Sequence, residues 1–163
     1  MYKEHLLLNM SRELMLLKQL GTFIKEEDLQ YRPHEKVRST YELMQYLSTI
    51  GSYMMRWLVK DDITDEVRAE IREYRSTLSI QNFSERIDRQ WEEIQSYMAL
   101  ISEEDLLLKQ ATLPTKEKMA LGAAIIHAPI KWLSAYRMEL FLYLKMNGHT
   151  DLSTREAWTL VQN

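Results

Sequence analysis

The chain has 163 residues, 45% of them apolar and 28% charged, with a net charge of −3, a make-up that excludes collagen-like, elastic and long disordered architectures. Cysteine is absent, so disulfides, thiolate zinc sites and a cysteine nucleophile are excluded as well. Gly21, Gly51, Gly122 and Gly148 are too far apart to build a phosphate-cradling loop, and an acidic chain without a basic stripe argues against nucleic acid as a partner.

Helical periodicity dominates. In the first segment Leu6, Leu7, Met10, Leu14, Leu17 and Leu20 recur at three- and four-residue steps until Gly21. In the second, Leu43, Leu47, Ile50, Met54 and Leu58 form one stripe. Ser39-Thr40-Tyr41-Glu42 has the spacing of a capping box at its start. A weaker, charged helical piece covers about Thr64 to Tyr74. The third long helix runs from about Ser84 to Ile101, with Ile87, Trp91, Ile94, Met98 and Ile101 on one face. The fourth runs from about Lys116 to Met146, with Leu121, Ala124, Ile125, Ala128, Trp132, Ala135, Met138 and Leu142 inward and a kink expected at Pro129. Gly148 ends it, and His149 is placed to meet the last carbonyls. A short terminal helix starts at Ser153, where Ser153-Thr154-Arg155-Glu156 repeats the capping-box spacing and Trp158 is the expected anchor. No stretch alternates like a strand, and no hairpin turn stands out. Four long amphipathic helices predict an all-α four-helix bundle. The connections Gly21 to Arg38 and Lys60 to Phe83 are too long for simple hairpins, so at least one is expected to cross over.

The longest aliphatic runs, Leu6 to Leu8 and Leu106 to Leu108, fall far short of the roughly 20 apolar residues of a membrane span. The apolar stretch after Met1-Tyr2-Lys3-Glu4-His5 is too short for a signal peptide, so the expectation is a cytoplasmic protein with no membrane partner.

Three stretches carry a family resemblance. Arg32-Pro33-His34-Glu35-Lys36-Val37-Arg38-Ser39-Thr40-Tyr41-Glu42-Leu43 resembles the loop and helix start of DinB-like (YfiT-like) proteins. Ile101-Ser102-Glu103-Glu104-Asp105-Leu106 and the segment Arg137 to Gly148 resemble two further stretches of that family, in the same order. The resemblance implies one DinB-like four-helix-bundle domain over 1–163, usually a homodimer. It also implies a divalent metal held by three histidines, one on the second helix and two at i and i+4 on the last long helix. Members with that site resemble metal-dependent thiol transferases, isomerases or hydrolases.

Carried over by position, the three histidine places fall on Tyr46, Trp132 and Tyr136. An indole N–H only donates, and a phenol with a pKa near 10 is a poor divalent-metal ligand. The four histidines His5, His34, His127 and His149 include no pair four apart. The expectation is therefore no metal and no cofactor. The aromatic trio then either fills the old cavity as core or lines a pocket for a small apolar or planar ligand. Tyr53, Arg56, Trp57 and His127 extend such a pocket, and Arg137 either receives an anion there or forms a salt bridge. The methionines Met44, Met54, Met55, Met119, Met138 and Met146 read as core or dimer interface. The carboxylates Glu103, Glu104 and Asp105 read as helix capping. The function expected is a metal-free ligand-binding or interaction module. The alternative is a metal-dependent thiol transferase or hydrolase using a displaced site, with His5 and His127 as its first candidates.

Overall fold

Apolar residues at three- and four-residue spacing drive the chain into long rods that bury one stripe each. The computed structural model describes residues 1–161. In chain order it forms α1 (Tyr2–Gly21), a short turn of 3-10 helix at Glu26–Asp28, α2 (Thr40–Leu47), α3 (Ile50–Lys60), α4 (Asp65–Ser76), α5 (Ile80–Ala99) and α6 (Glu103–Leu108). A small hairpin of β1 (Gln110–Thr112) and β2 (Lys118–Ala120) follows, then α7 (Leu121–Ile125), a π-helical turn at Ile126–Ile130, α8 (Lys131–Met146) and α9 (Thr154–Trp158).

The four rods of the bundle are α1, α2 with α3, α5, and α7 with α8. The α1 helix packs on α5 and α8, and the α2–α3 rod packs on the same two elements, so α1 and α2–α3 face each other across a diagonal. Segments 22–39 and 100–120 therefore cross the bundle. The other long connection, 61–79, joins neighbouring rods and carries α4. Met10, Leu14, Leu17, Leu20, Leu43, Leu47, Met54, Ile87, Ile94, Met98, Leu121, Ile125, Leu140 and Leu144 form the centre, each at most 2% exposed. Burying such a side chain stabilises the fold by about 1.5–3 kcal/mol. Met44 and Met55 join this core, whereas Met146 is exposed.

Capping boxes start four helices, through Ser39 with Glu42, Ser79 with Asn82, Ser102 with Asp105 and Ser153 with Glu156. At the end of α8 it is the backbone N–H of His149, not its side chain, that meets a last carbonyl, donating to Leu144 O at 3.1 Å. The His149 imidazole is buried, with Nε2 2.8 Å from Asp28 Oδ2.

Four expectations need correction. The second rod is broken at Ser48 and Thr49, where Thr49 leaves helical geometry at φ −139°, ψ −17°. The amide of Gln90 from α5 enters the gap. It donates to Leu47 O at 2.9 Å and accepts from Gly51 N–H at 2.6 Å, bridging the backbone bond that the break removes. The fourth rod begins at Leu121 rather than Lys116, because 110–120 forms the hairpin; Lys116 takes a left-handed φ of 74° at its tip without a glycine. At Pro129 the irregularity is the π-helical turn, which holds one residue more than an α-turn and rotates everything after it by one position. The buried set of α8 is thus Leu133, Arg137, Leu140, Phe141, Tyr143 and Leu144, while Ala135 and Leu142 face solvent. Finally, α9 is anchored by Ala157; Trp158 is 51% exposed and lies over the Arg137 guanidinium at 5.1 Å.

Candidate functional site

One face of α3 and one face of α4 make a cleft of about 480 Å³. Ile50, Tyr53, Met54 and Trp57 come from α3, and Arg68, Ile71, Arg72 and Arg75 from α4. Each set follows the i, i+3, i+4, i+7 spacing of a single helix face. Tyr46 of α2, Trp132 of α8 and Pro114 of the hairpin tip complete the lining. The cleft stays open because α4 buries only Val67 among its twelve residues, so α4 roofs α3 instead of packing flush on it. Trp57 Nε1–H donates to Thr112 O at 2.9 Å, which ties the hairpin to α3 and fixes the indole plane.

Tyr46 lies on α2, which packs on both α8 and α4. Its ring meets that of Tyr136 edge to face, centroids 4.8 Å apart at 73°. The Arg38 guanidinium lies 4.3 Å from the Tyr46 centroid and 5.5 Å from that of Tyr136, and Arg75 approaches Tyr46 at 5.2 Å. Burial raises the Tyr46 phenol well above its ordinary value; Tyr136 adds to this, and the two arginines only partly offset it. Tyr46 is therefore a neutral phenol throughout the physiological range. Burial also lowers Arg75. Its Nε–H donates to Thr49 Oγ1 at 2.7 Å, so the break in the second rod supplies the acceptor that fixes this arginine.

Tyr46, Tyr53, Trp57 and Trp132 thus share one cleft, and Tyr136 packs behind Tyr46. The remaining residues singled out in the sequence lie elsewhere. Arg137 is 0% exposed and turned towards α1 and α9, where Nε donates to Glu13 at 2.8 Å and Nη1 to Ala157 O. It is a salt bridge, the second of its two expected readings. His127 is exposed beside Lys131. Arg56 pairs with Asp62 through two hydrogen bonds of 2.7 and 3.0 Å. It lines a smaller cavity of about 330 Å³, which shares Tyr53 and Ile71 with the cleft. His5 and His34 are exposed. The α4 arginines were missed by sequence reasoning. Their signal, basic residues at 68, 72 and 75, was submerged in a run that alternates them with glutamates.

The architecture is that of an all-α DinB-like bundle. A provisional DinB-family member from Exiguobacterium sibiricum superposes with a TM-score of 0.72 at 18% identity, over 93% of this chain and 95% of that one. A DinB-like protein from Bacillus subtilis gives 0.68 at 15% identity, over 91% and 95%. At such identities the likeness establishes the fold. No family model and no curated protein matches the sequence.

Proposed function

We propose that this protein is a DinB-like bundle that has exchanged the family's metal for a ligand cleft, and that it binds a small planar, largely apolar molecule between α3 and α4 without catalysing a reaction. The observation that carries this reading is the convergence of Tyr46, Tyr53, Trp57 and Trp132 on one cleft of about 480 Å³. That volume is in the range of small-molecule sites, and the walls pair aromatic faces with a few fixed polar groups.

The residues at the family's ligand positions do not fit a divalent cation. Tyr46 resists deprotonation, Trp132 has no lone pair to offer, and Arg38 and Arg75 bring positive charge next to Tyr46. Among the described residues no three His, Cys, Asp or Glu side chains cluster in a way that holds a metal. The alternative of a transferase or hydrolase with a displaced site has no donor set behind it among those residues.

Two measurements test the proposal. Elemental analysis of tag-free protein after incubation with nickel, zinc or manganese is expected to give far less than one equivalent per chain; one equivalent overturns the metal-free reading. Titration with neutral 2-naphthalenemethanol is expected to quench the cleft tryptophans saturably. Trp132→Ala should weaken this binding by about 1–2 kcal/mol, the scale of one aromatic wall. The absence of saturable binding sinks the ligand reading.

A further inference from the structure

The cleft has an electrostatic asymmetry that the aromatic walls do not explain. Arg68, Arg72 and Arg75 line it along one face of α4, and among the described residues no carboxylate lines it. Elsewhere four arginines pair with acids, Arg32 with Glu42, Arg56 with Asp62, Arg89 with Glu93 and Arg137 with Glu13, while Arg12 and Arg86 donate to backbone carbonyls. Arg68 has Asp65 at 3.8 Å on the outer side of its own helix. Among the described residues, Arg38, Arg72 and Arg75 have no carboxylate within ion-pair distance. A protein of net charge −3 thus leaves three cations unpaired around Tyr46 and the α4 wall.

Arg75 is the focus. It is half-buried, its Nε is held by Thr49, and its two Nη groups have no protein acceptor among the described residues. Arg38 stands on the same Tyr46 ring and repels it. A guanidinium desolvated beside a like charge is destabilised until an anion arrives, and its planar fork suits an oxyanion that takes two parallel hydrogen bonds.

We infer that the ligand of the cleft is a planar aromatic carboxylate, with its ring between the α3 aromatics and the α4 roof and its carboxylate on the free Nη groups of Arg75, within the field of Arg72 and Arg38. The inference rests on the cleft being a ligand site and adds the charge and orientation of what fills it. Ile71 and Trp132 flank the ring, and the acid end lies at the Tyr46 end of the cleft.

The test compares 2-naphthoate with the neutral 2-naphthalenemethanol, by tryptophan quenching and calorimetry at low salt. The charge-assisted contact is expected to make the carboxylate bind about tenfold or more tightly than the alcohol. Arg75→Gln is expected to bring that ratio close to one, the ratio being read within the variant so that any change in alcohol affinity cancels. Arg72→Gln, at an exposed position where folding is not at stake, is expected to reduce the ratio by a smaller factor. Equal affinities for the two probes, or a ratio unchanged in both variants, overturn the anionic ligand while leaving the aromatic cleft standing. If neither probe binds, the inference and the ligand reading fall together.

Discussion

Gln90 decides how the second rod is built. It is 1% exposed in the centre of the bundle, and its amide replaces one turn of backbone bonding between Leu47 and Gly51. Replacing it by leucine keeps the volume and strands a buried carbonyl and a buried N–H. At about 1–3 kcal/mol for each unpaired group, Gln90→Leu is expected to destabilise the protein by about 2–6 kcal/mol, read from the urea midpoint at constant slope. A loss under 1 kcal/mol would show that the gap is satisfied in some other way. Periodicity puts Trp91 on the inner face of this helix, whereas Gln90 is the fully buried residue and Trp91 is only half-buried. A polar residue beside an apolar stripe reads as surface unless the opposing break is also seen. The break itself leaves only a faint trace, the run Ser48-Thr49 before Gly51, in which both hydroxyls bond back to carbonyls three residues earlier. Asp28 is a similar case. No sequence pattern singles it out, yet it is buried and accepts from Lys25 N, Asn147 Nδ2 and His149 Nε2, tying the first crossover to the end of α8.

Among the elements, the π-helical turn at Ile126–Ile130 is the one that sequence periodicity misplaces. A π-turn is one residue inserted into an α-helix, so removing one residue there restores a continuous helix with both flanking faces in register. A variant that deletes the exposed Ile126 and carries Pro129→Ala, so that the straightened helix has no internal proline, is expected to unfold cooperatively with unchanged far-UV circular dichroism. Deleting Ala135 instead turns Arg137, Leu140 and Leu144 out of the core and is expected to abolish the cooperative transition. Equal tolerance of the two deletions would show that the turn does not set the register. The inserted residue also explains why the inward set expected on the fourth rod holds as far as Ala128 and then slips. Both phases of 131–146 carry apolar residues, so the pattern alone offers no signal for the slip. It likewise decides the site: in the observed register Trp132 reaches the cleft while Arg137 is carried to α1. The hairpin was hidden for a different reason, since its left-handed tip residue is Lys116 and its strands are three residues long.

At the scale of the whole molecule, the crossed bundle was legible because four long stripes leave few ways to bury themselves, and the aromatic residues Tyr46, Tyr53, Trp57 and Trp132 that line the cleft were legible one by one. The cleft was not, because it depends on α4 standing off α3, a tertiary distance that no local pattern encodes. The capping boxes make a further property global. Burial is slight at Glu42, Asp105 and Glu156, but bonds from Ser39, Ser102 and Ser153 hold all three carboxyls below their ordinary values. Asp62 is lowered by Arg56. A depressed folded-state value means stabilisation that is present above the ordinary carboxylate range and lost as pH falls through the depressed values. The urea midpoint is therefore expected to be level from about pH 7 to 5 and to fall below about pH 4.5. The double variant Glu42→Gln, Glu156→Gln is expected to show a shallower fall, and an identical fall would show that the caps do not carry the acid sensitivity.

The bridge from Gln90 into the second rod also constrains descent. A Cβ added at Gly51 would stand 2.8 Å from Gln90 Oε1 and 3.1 Å from Ile94 and Leu133 side-chain carbons. The glycine that leaves room and the glutamine that fills it are one device held at two distant places in the gene. Neither substitution is expected to be neutral alone: a side chain at Gly51 meets the Gln90 amide, and loss of that amide leaves the gap unbridged.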